Sequence, residues 1–116
     1  MQATAILYNG VVVNAFVVRS VVISAGQNLA AGRVLGRVAA NGEFIGRDSN
    51  ANDGSQVCRA VLLEDCDATL GALEAPALFC GAVDEAALTF AVGDTLAGSF
   101  AELCDAGIYP VEALNP

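Results

Sequence analysis

Four groups of residues in this sequence have types and spacings that could support chemistry. Gly26-Gln27-Asn28-Leu29-Ala30-Ala31-Gly32-Arg33-Val34-Leu35-Gly36-Arg37-Val38 sets three glycines and two arginines among small and β-branched residues, the texture of a loop that cradles phosphate. Asp48, Asn50 and Asn52 alternate as the oxygen ligands of a calcium loop do. Asp65 and Asp67 form a carboxylate pair of the kind that performs acid–base catalysis when a pocket shifts its pKa values. Cys58, Cys66, Cys80 and Cys104 are an even set of thiols, open in principle to metal binding or to two disulfides.

Each of these readings lacks a part that its chemistry requires. The glycine segment is followed by no lysine and opens no helix, so it reads instead as turns at Gly26 and Gly32 that deliver a strand, with Gly36 a point of close backbone approach. Arg59 stands where a calcium loop needs its closing bidentate Glu. The cysteines form no CxxC pair and the chain has no histidine, so no zinc spacing is present. With no signal-like segment at the start, the four are expected as buried free thiols in a reducing cytosol. Asp65 and Asp67 fall on an expected surface turn, where carboxylates are solvated.

Missing residue types narrow the field further. Without histidine there is no Ser-His-Asp or Cys-His arrangement, and without lysine no Walker lysine or Schiff base. The expectation is a protein with no catalytic residues, no metal and no cofactor. An enzyme built on Asp65, Asp67 or a cysteine stays as a residual alternative.

The 116 residues suit one domain, and 55% hydrophobic content with 16% charge excludes a disordered chain. All five basic residues are arginines, the net charge is −8, and ten acids with no base lie beyond residue 59. Such a chain repels a polyanion, which argues against nucleic-acid binding. The acid-rich part is either a solvated face or a surface that meets the basic early part of a neighbouring copy in a head-to-tail ring. Arg33 and Arg37 are the candidates for that inter-subunit pairing.

Residues 5–23 are apolar enough to raise a membrane span, but Asn9, Gly10, Asn14, Arg19 and Ser20 interrupt them and valine favours extended structure, so no membrane partner is expected. Ile6, Tyr8, Val11, Val13 and Phe16 form an apolar stretch that reads as a partner-binding arm or as an edge strand of the domain. Strands are expected over residues 17–23, 33–39, 43–47, 56–63 and 76–83, with Asn41-Gly42 as a type I′ hairpin turn. The polar segment 48–55 reads as an exposed loop of Asx-type turns. Residues 84–88 form one helical turn capped by Asp84. Residues 94–106 form the main helix, with Asp94 as N-cap, Leu96, Phe100, Leu103 and Cys104 on its apolar face and Gly107 as its stop; a short closing strand follows. The fold class is α+β, predominantly β, with one main short helix near the C-terminus.

Taken in order, VVISAGQNLAAGRVLGRV, GEFIGRDSNANDGSQVCRAVLLEDCDAT, LFCGAVDEAAL and LCDAGIY resemble the bacteriophage head decoration proteins, the family of the lambda head decoration protein, over roughly residues 16–109. The resemblance implies a compact, barrel-like or β-tulip-type domain over residues 17–116, a homotrimer, with residues 1–16 as a capsid-binding arm or edge strand. It further implies a virion protein, made in the host bacterial cytoplasm. Its trimers sit at threefold and quasi-threefold sites outside the expanded head and bind the major capsid protein, the arm adding extended backbone to it. A reading from a different class is a small carbohydrate-binding or adhesion domain of a virion or cell surface, with the loop 48–55 as its rim.

Overall fold

The structure, a computed structural model, describes residues 12–112. Its frame is a ribbon of two long strands, β1 (Val12–Ile23) and β7 (Leu73–Asp84), paired antiparallel along most of their length. From Val18↔Leu78 to Ile23↔Leu73 the register is unbroken; between Val12 and Val18 it shifts three times. Gly81 sits in this irregular part because a Cβ there would lie 2.3 Å from the Asn14 carbonyl oxygen.

Against the ribbon lie β3 (Val34–Arg37), β4 (Phe44–Gly46), β5 (Ala60–Leu62) and β8 (Ile108–Val111), in the sheet order β1-β4-β3-β5-β7-β8. Because β1 pairs with both β4 and β7, the sheet forms a ring, but the β1–β4 junction rests on the single pair Ile23↔Phe44. A small second sheet joins β2 (Asn28–Leu29) to β6 (Cys66–Asp67). A 3₁₀ turn (Glu85–Ala87) and the helix α1 (Leu96–Ala106) complete the chain.

The central strands are buried on both faces, which explains the unbroken apolar run at residues 60–63. Val34, Val61, Leu63 and Leu78 face one core, shared with Leu103 and Ile108. Leu35, Ala60, Leu62 and Ala77 face the other, shared with Ile23 and Phe44. Neighbours along a strand thus serve opposite cores, as a two-residue period requires.

Several expectations are met with altered bounds. The hairpin at Asn41-Gly42 forms, with Leu35↔Gly46 and Arg37↔Phe44 in register. Its turn differs from type I′: Val38 N–H bonds the Glu43 carbonyl and Gly42 N–H bonds the Val38 carbonyl, leaving four residues in the loop. The first strand begins at Val12 rather than at residue 17, because β7 offers pairing partners up to Val83. The strand expected at 56–63 shortens to Ala60–Leu62, and the one expected from Pro76 begins at Leu73.

The 3₁₀ turn carries its expected cap, Asp84, whose carboxylate accepts from Ala86 N–H. The main helix does not take Asp94 as its cap. Thr95 fills that place, its hydroxyl accepting from Gly98 N–H, while Asp94 is drawn to longer-range partners. Gly107 ends the helix in the left-handed conformation, φ 94°. Phe100 is exposed; the buried positions are Ser99 and Leu103. No helix among the described residues is long and apolar enough to cross a membrane.

Candidate interaction surface

The five arginines fall into two groups. Arg47, at the end of β4, is only 6% exposed. Its Nε donates to the Gln56 carbonyl at 2.8 Å, and its terminal nitrogens reach Ser99 Oγ at 2.9 Å, Glu102 Oε1 at 3.1 Å and Asp94 Oδ2 at 3.5 Å. A buried guanidinium demands this many acceptors, and they come from the loop after β4 and from α1 with the residue before its cap.

The same carboxylates tie in further backbone. Ser49 donates to Asp94 through its N–H and its hydroxyl, and these bonds, with Arg47 nearby, hold the Asp94 carboxyl below the usual carboxylate range. Burial alone would raise Glu102, but the Cys58 N–H at 2.6 Å and Arg47 outweigh it and leave it lowered. Burial, with Glu102 close by, pushes the Cys58 thiol up to about 12. Such a thiol is neutral and unreactive at ordinary pH, the opposite of a nucleophile.

Arg33, a candidate for pairing between subunits, is turned inward to this cluster. It donates to the Arg47 carbonyl at 3.2 Å and packs on Gly46, where a Cβ would come within 2.6 Å of its guanidinium. Arg37, the other candidate, is exposed and lines a groove of about 770 Å³ together with Arg19 and Arg59. The groove opens beside the single β1–β4 pair, between the edge of β1 and the β3–β4 hairpin. Phe44 and Phe79 contribute to it in edge-to-face contact, ring centres 5.9 Å apart.

Of the proposed arm residues, Ile6, Tyr8 and Val11 lie outside the described residues. Val13 and Phe16 belong to β1, and Phe16 is 60% exposed beside the exposed Val17, in the irregular half of the ribbon. Paired backbone and an outward aromatic thus coexist there.

The glycine segment is built as its residues suggest. Gly26 and Gly32 have φ of 91° and 95°, and a Cβ on Gly36 would meet the Ser55 carbonyl oxygen at 2.0 Å. The loop 48–55 spends many of its polar groups within the fold: Asp48 accepts from Asn50 N–H, Asp53 from Ser55, Ser49 donates to Asp94, and Ser55 is buried. Asp65 accepts from Ala31 N–H at 2.8 Å. Asp67 is held below the usual carboxylate range by the Thr69 hydroxyl and N–H, the opposite of what a general acid needs. All four cysteines are free thiols; Cys58 and Cys66 are buried, Cys80 and Cys104 half-buried. No group of His, Cys, Asp and Glu among the described residues is arranged to hold a metal ion.

Sequence reasoning passed over Arg47, Asp94 and Glu102 as a unit, and Arg19 and Arg59 as companions of Arg37. The strand pattern gave no signal for Arg47: Phe44 and Gly46 are the buried positions of β4, so the alternation puts Arg47 on the side of the half-buried Ile45, yet it is buried. Among known proteins, the sequence model of the family described as bacteriophage lambda head decoration protein D matches residues 13–108. No curated protein matches the chain.

Proposed function

The chain belongs to the bacteriophage lambda head decoration protein family, and from that premise we propose that it binds as trimers to the outside of the expanded head and stabilises the shell without catalysing a reaction. The sites are the threefold and quasi-threefold positions, where one trimer touches several major capsid protein subunits. Three linked arms make attachment firm although each contact is modest, because after the first arm docks the others bind at high effective concentration.

The observation that carries this reading is the extent of the family match, which takes in β1 through α1 and reaches the first residue of β8. The form of β1 supports the arm. Its regular half is built into the ring, and its irregular half presents Phe16 and Val17 outward. Extended backbone continuing from such a strand is suited to adding to another sheet, where main-chain hydrogen bonds supply affinity and side chains supply fit.

Co-sedimentation with expanded and unexpanded heads tests the proposal. The full chain is expected to pellet with expanded heads only, and a chain lacking residues 1–11 to stay in the supernatant; this deletion leaves the β1–β7 ribbon whole. Equal pelleting of the shortened chain contradicts the arm mechanism, and failure of the full chain to bind expanded heads contradicts the decoration reading itself.

A further inference from the structure

We propose that the groove bearing Arg19, Arg37 and Arg59 is the contact by which one copy of this chain takes hold of the next, and that it receives the neighbour's acidic segment Glu64-Asp65-Cys66-Asp67. The inference rests on the reading of the chain as a self-associating shell protein and adds to it the surfaces that meet.

Three observations point there. First, Arg19, Arg37 and Arg59 are exposed, line one groove, and form no ion pair and donate no side-chain hydrogen bond among the described residues. Of the other two, Arg47 is ion-paired inside the fold, and Arg33 is half-buried against it, donating to its carbonyl. Every exposed arginine among the described residues of this chain, whose net charge is −8, therefore lines one groove. Glu43 and Asp105 also line the groove and offset part of its charge, but neither forms an ion pair with these arginines among the described residues, and Glu43 accepts from the Ser24 hydroxyl at 2.8 Å.

Second, the chain carries a matching surface of its own. Glu64 and Asp65, at the bend between β5 and β6, and Asp67, the last residue of β6, are exposed. Hydrogen bonds from Ala31 N–H and Thr69 fix Asp65 and Asp67 in place through one oxygen each, leaving the second oxygen of each without a partner among the described residues. Glu64 has no side-chain partner among those residues. Carboxylates held in advance lose little freedom on pairing.

Third, groove and acidic bend are different surfaces, so their contact is head-to-tail, the kind that closes into a ring when the rotation allows. The groove also offers what an extended segment needs besides charge. Consecutive residues Arg19 to Val22 on the β1 edge line it, with the Phe44–Phe79 pair as apolar surface.

The test uses the full chain and measures self-association by sedimentation velocity over a concentration series. Wild type is expected to form trimers, and the groove reversal Arg19→Glu, Arg37→Glu, Arg59→Glu to weaken assembly by about tenfold or more. A ring of three cannot be mended by mixing two complementary variants, since one like-charged contact always remains. Reversal of both surfaces in one chain, adding Glu64→Arg, Asp65→Arg and Asp67→Arg, is therefore expected to restore it. Circular dichroism confirms that each variant is folded, and weakening of the wild-type trimer by added salt gives a readout that needs no substitution.

The proposal is overturned if the groove reversal leaves assembly unchanged, or if the double reversal assembles no better than the groove reversal alone. Loss of binding to expanded heads with trimers intact also overturns it and assigns the groove to the shell. A wild-type chain that is monomeric throughout removes both this inference and the trimeric reading. Trimers that ignore the reversal remove the inference only.

Discussion

Arg47 and Arg19 are the same side chain put to opposite uses. Arg47 is buried and binds four acceptors drawn from the strand–loop region and from α1 with its approach, so it fixes the inside of one molecule. Arg19, with Arg37 and Arg59, stands on a groove and forms no ion pair among the described residues. The contrast teaches that in a chain without lysine or histidine, the partners of each arginine decide its meaning. A satisfied guanidinium belongs to the fold, and an unsatisfied one on a concave surface is available to a neighbour.

The two groups of arginines are expected to differ most at Arg47. Arg47→Ala leaves the buried Asp94 carboxylate without its cation and is expected to cost about 3–5 kcal/mol in urea unfolding. Arg19→Ala, Arg37→Ala and Arg59→Ala, measured on monomer, are each expected within about 0.5 kcal/mol of wild type. Equal losses in the two groups would abolish the distinction. Gly36→Ala should cost about 3 kcal/mol, because its Cβ drives into the Ser55 carbonyl at the end of the loop that Arg47 holds.

At the start of α1 the expected effects are smaller. Thr95→Ala should cost about 1 kcal/mol, the loss of one N-cap bond. Asp94→Ala should cost more than this in the same assay, because Asp94 works as Arg47's counter-ion and Ser49's acceptor rather than as the cap.

Acid supplies the last distinction. Asp94 and Glu102 have folded-state pKa values below their unfolded ones, so they stabilise the protein above the usual carboxylate range and lose that contribution as pH falls through their folded values. Stability measured from neutral pH downward should fall in wild type, with a shallower fall in Arg47→Ala. The Cys58 thiol is shifted the other way, so its contribution is complete below about pH 9 and is lost as pH rises toward about 12.

What was legible in the sequence was local, or carried by family resemblance. Asn41-Gly42 announced the hairpin, the β-branched run before Ser24 announced a strand, and Asp84 and Gly107 marked helix ends, because in each case the signal and the structure it specifies lie within a few residues. Gly36 was readable as a close approach, though not the Ser55 carbonyl it approaches. The Arg47 cluster was hidden because its carboxylates lie 47 and 55 residues along the chain. That distance also misled the reading of α1. Asp94 and Thr95 are both capping residues, and the demand of Arg47 for a counter-ion decided between them. Ser99, polar in a helical pattern, is buried because Arg47 needs its hydroxyl, and Phe100 turns outward. The groove was invisible for a related reason, since Arg19, Arg37 and Arg59 meet only when the sheet curves into a ring.

The proposed reinforcement of a phage shell is tested by challenge of DNA-filled expanded heads. Heads stripped of decoration protein are heated with increasing amounts of the full chain while released DNA is followed by a dye. DNA release is expected to move to higher temperature, with a gain that saturates when the threefold and quasi-threefold sites are filled. Binding to saturation with no change in DNA release would contradict it.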